Sequence, residues 1–398
     1  GLTVAKNDGA GRVVTIRGIG WETAQNLASQ PSVLTYIDGI YLANPLSMGL
    51  DLGELERVEV FRGPQGTEFG QGTTGGAINL VTKKPVLGET SGYFEAGYGN
   101  YQTVNLRTAV NFPMGDNSAI RASIQKHSHE GFAEIKGGAI DGYELDDADS
   151  ISAKVALLFE PSETFSLLLQ GFVHESDQNA AAQKNIADPN PNPRELTQDY
   201  PGIFNLDTET ISLIMEWQIS DSLSLKSLSG YQKLEKEQTT DGDRLTQDTI
   251  SIDRLGFFSP DNWDVLPFWD NNSEATSQEI VLTYRSDSVD WVLGGYYLDH
   301  DNFNDFLEAT GPAPFSAFAS AVANPSVATL PPFQSVLNFT EKRTVSREDL
   351  ALYTQATFRL GDKTAITAGI RWQDEKQTDF GEQFFGIFGP FSRDTNDE

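Results

Sequence analysis

From Ser91 onward, apolar residues fall at every second position in stretch after stretch of this chain. Val104, Leu106, Thr108, Val110 and Phe112 alternate with Thr103, Asn105, Arg107, Ala109 and Asn111, and Ile120, Ala122 and Ile124 alternate with Arg121, Ser123 and Gln125. Ile151, Ala153, Val155, Leu157 and Phe159 repeat the pattern, as do Ile211, Leu213, Met215, Trp217 and Ile219. Near the end Leu352, Ala356 and Phe358 oppose Tyr353, Gln355 and Thr357, and Ile366, Ala368, Ile370 and Trp372 oppose Thr367, Gly369 and Arg371. A period of two sends successive side chains to opposite faces of a strand, so each stretch has one apolar and one mostly polar face.

A soluble β-sandwich shows the same alternation; the connections separate the two. Short turns at Pro113–Asp116, Pro161–Glu163, Ser220–Ser222, Asp287–Val289 and Gly361–Lys363 alternate with long polar connections near 127–149, 175–208, 237–274 and 300–347. Short turns at one end and long loops at the other describe a transmembrane barrel, and structureless loops this long are unusual in a compact soluble domain. Tyr93, Tyr98, Tyr231, Tyr284, Tyr297 and Trp372 stand at strand ends, where interfacial girdles form. No run of about 18 apolar residues occurs, so a membrane helix is excluded and a barrel is the remaining way to span. The pattern gives about eleven strands, against roughly 22 in plugged outer-membrane transporters. The last, Ala365 to Gln373, ends on the long-loop side, so the tail after Asp374 is expected to start a loop. Half a barrel leaves two open edges, so the chain is expected to be a fragment, truncated at both ends.

With 57 acidic against 28 basic side chains the formal charge is −29. Such a surface excludes nucleic acid as a partner and is wrong for a polybasic membrane binder. No cysteine is present, which removes disulfides and thiolate metal sites. Gly1-Leu2-Thr3 carries neither a charged nor an apolar leader region, so a signal peptide is expected to be absent or already removed.

Residues 1–85 differ from the rest. They read as short strands (Arg12 to Arg17, Leu34 to Ile37, Val58 to Phe61, Ala77 to Val81) joined by glycine-rich loops. Such short, polar strands make a poor freestanding core and suit a unit packed inside a larger shell. Between the last two strands lie Gly63, Gly66, Gly70, Gly72, Gly75 and Gly76, a density that implies positive φ or close backbone approach. A phosphate loop needs Gly-Lys followed by Ser or Thr, which is missing, and no helical period follows the glycines.

The stretch Leu55 to Pro85, LERVEVFRGPQGTEFGQGTTGGAINLVTKKP, resembles the end of the plug domain of TonB-dependent outer-membrane receptors. Thr15-Ile16-Arg17-Gly18 and Tyr36-Ile37-Asp38-Gly39-Ile40 resemble the family in order and spacing as well. The resemblance is close over the first 85 residues and looser after them. It implies an all-β membrane protein, with residues 1–85 the later part of a plug and residues 86–398 the first half of a barrel. It also implies that a TonB box should precede Gly1. The function implied is TonB-dependent active import of a scarce ligand (ferric siderophore, vitamin or glycan) across the Gram-negative outer membrane. Its implied partners are TonB with ExbB and ExbD, outer-membrane lipid and lipopolysaccharide, and a small-molecule ligand. A passive porin or adhesin barrel is the alternative, and it leaves residues 1–85 without a purpose.

No catalytic constellation is present, so no enzyme is expected, and no cofactor either. His127 and His129 would share a strand face but lack an obvious third ligand, and read as solvated rim histidines rather than a metal site. Asp299, Asp301 and Asp305 lack the turn glycine and the final glutamate of a calcium loop. The resemblance puts ligand recognition on three plug loops: Lys6 to Gly11 with Asn7 and Asp8, Gly20 to Gln30 with Trp21, Glu22, Gln25 and Asn26, and Ala43 to Asp51 with Asn44 and Met48. It makes Arg57 and Arg62 plug–barrel structural residues, Arg62 in a buried pair with a barrel acid. Trp21 suits either a ligand site or filler against the wall. In the intact receptor, Trp21→Ala and Asn26→Ala are each expected to weaken binding of the native ligand. Unchanged affinity in both, with binding lost only on deleting extracellular loops, would move the site off the plug.

Overall fold

The computed structural model describes residues 1–6, 12–20, 30–49, 54–64, 66, 69–138, 140–242, 244, 264–311, 337–361, 363–385 and 389–397. The N-terminal region holds seven short strands: β1 (Leu2–Lys6), β2 (Arg12–Ile16), β3 (Ile19–Gly20), β4 (Val33–Ile37), β5 (Ile40–Tyr41), β6 (Leu55–Arg62) and β7 (Gly76–Thr82). A 3₁₀ turn, Pro45–Gly49, follows β5. β1–β3 form one small antiparallel sheet, and a second, mixed sheet runs β5-β4-β7-β6 with β4 parallel to β7. The two meet through Val14 and Ile16 against Val33 and Ile78.

Around this inner unit runs one antiparallel sheet of twelve strands. In chain order these are β8 (Ser91–Tyr98), β9 (Val104–Pro113), β10 (Ser118–His129), β13 (Ala148–Ser162), β14 (Phe165–Asn179), β16 (Ile203–Ser220) and β17 (Leu223–Thr239). They continue as β18 (Asp264–Arg285), β19 (Val289–Gly311), β20 (Leu337–Arg359), β21 (Ala365–Phe385) and β22 (Gly389–Asp397). Each pairs with its neighbour in this series, and β8 and β22 form the sheet's edges. The intervening β11 (Ala133–Ile135), β12 (Glu144–Leu145) and β15 (Glu195–Leu196) leave the wall and make a small cap sheet over the long-loop end.

Side-chain parity follows the sequence pattern. Ile211, Val155 and Ile370 are 55%, 50% and 70% exposed on the outer face, whereas Ala119, Leu298 and Ala351 on the inner face are fully buried. The outer face is the one the alternation made apolar. At one end the hairpins are tight: Met114 N–H donates to Ser118 C=O at 2.8 Å, Ser286 to Val289 at 2.9 Å, and Leu360 to Thr364 at 2.8 Å.

Two expectations need correcting. The tail after Asp374 is not a loop: β21 runs on to Phe385 and turns back into β22. The long connections are likewise partly strand, because β19 and β20 reach 23 residues each. Crossing a bilayer takes roughly 9–11 strand residues. The apolar period stops at the membrane edge, but the backbone ladder continues beyond it with polar side chains. Asp299, Asp301 and Asp305 lie on such an extension, opposite Glu348, Ser346 and Lys342, with Lys342 3.1 Å from Asp305. They are ladder residues rather than an ion-binding loop. No helix among the described residues is long and apolar enough to cross a membrane, which says nothing of the strands.

In the full-length protein, Leu213→Arg on the outer face is expected to cost about 2–4 kcal/mol of folding into vesicles, and Asp207→Arg, above the apolar band, about 0–1. Equal effects at the two positions would show that the outer face does not meet hydrocarbon.

Candidate functional site

The seam between the inner unit and the wall is where the chain concentrates its buried polar chemistry. It begins at the Asp38-Gly39 turn joining β4 to β5. Both residues have positive φ, 52° and 90°, as a two-residue I′ hairpin requires. That geometry folds the Asp38 carboxylate back onto Thr82, from which it accepts N–H at 2.8 Å and O–H at 2.7 Å. It also accepts from Gln170 Nε2 of β14 at 3.0 Å. Lys154 of β13 reaches the same point, donating to the Thr82 hydroxyl and to Lys83 C=O. One strand further, Arg121 of β10 makes a two-pronged pair with Glu54, at 2.7 and 2.5 Å, and Glu54 is almost wholly buried.

A second grip lies on β17 and β18. Gln232 reads the end of β5 through the backbone, donating to Tyr41 C=O at 2.6 Å and accepting Ala43 N–H at 3.1 Å. Asn44 accepts Leu46 N–H at 3.0 Å, which starts the 3₁₀ turn, and lies 3.4 Å from the Asn271 side chain. Leu46 then enters an apolar cluster with Phe172, Phe204, Leu206 and Leu234 of the wall. Burying such a leucine is worth about 1.5–3 kcal/mol.

The third grip takes the glycine-rich segment. Arg371 of β21 donates to Gly66 C=O at 3.2 Å and to Gly70 C=O at 2.6 Å. The Gln71 amide fits between Arg347 and Asp349 of β20, its oxygen 2.7 Å from Arg347 and its nitrogen 3.1 Å from Asp349. Tyr36 closes the segment from the inner side, donating its hydroxyl to Gln71 C=O at 2.7 Å. Burial holds that hydroxyl well above the ordinary phenol range, so it remains a donor. Gly70 has no room for a side chain: a Cβ there would lie 2.2 Å from the Tyr296 ring and 2.8 Å from Glu279.

Of the residues expected to meet ligand, Asn7, Asp8, Trp21, Glu22, Gln25 and Asn26 lie outside the described residues. Met48 has its backbone in the 3₁₀ turn, and Asn44 is buried in the seam. Arg62, expected in a buried pair, is itself exposed at the end of β6. Arg57 is exposed too and pairs within its own strand, with Glu59 at 2.7 Å and Glu56 at 2.9 Å. The buried pair has the opposite polarity, with acid from the inner unit and base from the wall. Arg121 and Lys154 carried the available signal, as basic residues at inward parity on strand faces with few other charges. His127 and His129 share the inner face of β10 with rings 5.4 Å apart, and no cluster of three metal-ligating residues exists among the described residues.

Residues 1–77 match the family model for the TonB-dependent Receptor Plug Domain. Over those residues the chain is similar to the plugs of TonB-dependent receptors. It is 27% identical over 188 residues to the metal–pseudopaline receptor CntO of Pseudomonas aeruginosa, a match covering 46% of this chain and 25% of that protein. It is 35% identical over 100 residues to the probable TonB-dependent receptor BfrD of Bordetella pertussis, covering 25% of this chain and 12% of that one. Its fold superposes on the crystal structure of the ferric yersiniabactin uptake receptor FyuA from Yersinia pestis with a TM-score of 0.77 at 19% identity, covering all of this chain and 56% of FyuA. The chain therefore spans about half the length of that receptor. By these likenesses the inner unit corresponds to a plug, the wall to part of a barrel, and the seam to the surface between them.

The cap sheet closes the long-loop end around Ile135, Leu145, Ala180 and Leu196. Its outer loop is stapled by Asp188, which is fully buried and accepts N–H from Asn190 at 2.8 Å and from Thr197 at 2.9 Å, with Lys184 at 3.5 Å. Burial alone would raise this carboxyl, but the two backbone donors and Lys184 outweigh it and hold it below its ordinary value of 3.8. A depressed carboxyl stabilises the loop above its unfolded-state value and loses that contribution as pH falls through the folded one. Protection of residues 184–197 from protease is therefore expected to persist at neutral pH and to fall only below about pH 4. Asp188→Asn should lower protection at neutral pH and flatten that dependence. A loop equally protected in both proteins at every pH would remove Asp188 from this role.

For the seam, Glu54→Ala in the full-length protein is expected to destabilise docking of the inner unit by about 3–5 kcal/mol, because it strands Arg121. Glu54→Leu with Arg121→Met should recover most of that loss in thermal unfolding, and a double variant as unstable as the single one would refute the pair.

Proposed function

We propose that this chain is the plug and adjoining barrel wall of an energised importer that carries a metal chelate of the siderophore class across the Gram-negative outer membrane. The observation that carries this reading is the seam itself. The plug is fastened to the wall by polar grips on Asp38, Gly70 and Gln71, contacts that water can replace when the plug moves, and by one buried ion pair at Glu54. A passive pore needs no such releasable stopper. The likeness to CntO, a metal–pseudopaline receptor, and to FyuA, a ferric yersiniabactin uptake receptor, supports the ligand class.

In this reading the plug extends to about residue 85, and the barrel follows. Asn111 of β9 supports that division by holding the connecting segment to the wall, through Val86 N–H and C=O at 2.9 Å and Glu89 C=O at 2.7 Å. Ligand enters from the long-loop, extracellular side and meets the plug loops carrying Asn7, Asp8, Trp21, Glu22, Gln25, Asn26 and Met48. Asn44 fastens the third of these loops to the wall. TonB, energised by ExbB and ExbD, supplies the pull. Lipid and lipopolysaccharide surround the outward face. On the opposite, short-turn side, a cleft of about 790 Å³ between β6–β7 and wall residues such as Glu163, Glu216 and Lys226 gives the ligand its exit.

Uptake of radioiron from a panel of ferric chelates, in iron-starved cells with and without the gene for this protein, tests the proposal. Uptake of one chelate should saturate, depend on the protein and vanish when TonB is removed. Uptake that rises linearly with concentration and ignores TonB would establish a passive pore instead.

A further inference from the structure

Both polar ends of the Gly70 peptide region are held by the wall. Its N–H donates to Glu279 of β18, and its C=O accepts from Arg371 of β21 at 2.6 Å. Those two side chains come from strands separated by β19 and β20, and one residue touches both. Tyr353 of β20 donates its hydroxyl to Glu279 Oε1 at 2.5 Å, and the Arg371 guanidinium lies over its ring, 5.8 Å from the centroid. In the ladder the four strands contribute one inward row, Val281, Gly294, Tyr353 and Arg371.

The ring can lie across β19 because its partner there is Gly294. A Cβ at Gly294 would stand 2.0 Å from the ring Cζ and 2.4 Å from the hydroxyl oxygen. Any other residue would lift the ring off the wall and carry its hydroxyl away from Glu279. A buried carboxylate needs donors to offset its lost hydration, and Tyr353 and Gly70 each supply one to Glu279.

We propose that Tyr353, laid flat over Gly294, is the positioning residue of a two-ended grip on the Gly70 peptide region, and that this grip sets how readily the plug's glycine-rich segment leaves the wall. The grip stands on its own geometry, and its role in release rests on the import reading above. Neither Tyr353 nor Gly294 need touch ligand for either to change how firmly the plug is held.

The test uses the intact receptor and its amide hydrogen exchange, read over the peptide containing Gly70. Tyr353→Phe keeps the ring and the packing and removes only the hydroxyl. It is expected to speed exchange there by about tenfold or more, the size set by one hydrogen bond to a charged group. Gly294→Ala should do the same by displacing the ring, and the double variant should exchange no faster than the larger single effect. Titrated ferric chelate should bind all three proteins as it binds the parent. Cells lacking TonB should admit a bulky glycopeptide antibiotic more readily through each variant. Unchanged exchange at Gly70 in Tyr353→Phe overturns the grip. So do additive effects of the two substitutions with faster exchange spread along β19 and β20, since that pattern belongs to a glycine needed only for barrel fit. If no chelate is taken up by the parent protein, the import reading fails while the exchange data still decide the grip.

Discussion

Each wall strand has to satisfy two surroundings at once. Its backbone groups are spent on the neighbouring strands, because lipid offers no partner for an open N–H or C=O. That leaves only side chains to tell the two faces apart, and a pleated strand sorts them by parity. Ile211 and Leu213 go outward, while Ile214 and Thr208 go inward to buried positions. The whole arrangement descends from this restriction. A strand cannot shift by one residue without putting Lys154 or Glu279 into hydrocarbon and Val155 or Ile280 against the plug.

Given that restriction, the inner face is the only surface on which the wall can do anything specific. It does so with few groups. Apolar contacts such as Leu46 among Phe204, Leu206 and Leu234 hold the plug without fixing its orientation. Orientation comes from side chains that read backbone. Gln232 takes both polar groups at the end of β5, and Arg371 takes two carbonyls of the glycine-rich segment. Backbone recognition explains why that segment is rich in glycine. Close approach of the wall to the chain at Gly70 leaves no space for a Cβ, and the chemistry being read belongs to the peptide group itself.

The architecture was legible in the sequence because parity and turn spacing are local signals. Alternation marks the sets containing Ile211 and Ile370 as single apolar faces, and both are exposed on the outside of the wall. The signal faded where the chain left the apolar band. Asp374 to Phe385 is strand, yet its polar residues gave no apolar period, since the ladder that orders them lies in the neighbouring backbone of β20. The seam was less legible. The resemblance points to Arg57 and Arg62, but their strand is the outer edge of the plug sheet and both are exposed. Partners such as Glu54 and Arg121 are 67 residues apart, and Gln232 and Tyr41 are 191 apart. Pairing at that range is set by how the wall curves round the plug, which no spacing in one sequence encodes.

The polarity of the seam carries a last consequence. A plug fastened by apolar packing alone would lose hydrophobic contact with every ångström of movement and gain nothing from the water that enters. A plug fastened by hydrogen bonds exchanges each contact for one to water, so the net difference per bond is only about 0.5–1.5 kcal/mol although the intact contact is geometrically strict. Buried ionic contacts are the exception, since separating them leaves charge in a site of low polarity. Here those sit at two places: Glu54 with Arg121 near the end of β7, and Arg347 with Asp349 around Gln71. At the first, separation requires one partner to leave with the plug. At the second, both charges belong to β20, so removing Gln71 leaves the wall pair together. The glycine-rich segment can therefore be withdrawn without breaking that ion pair, whereas the region around Glu54 cannot leave without breaking its own. The plug is held loosely where its chain is glycine and firmly where it joins the barrel.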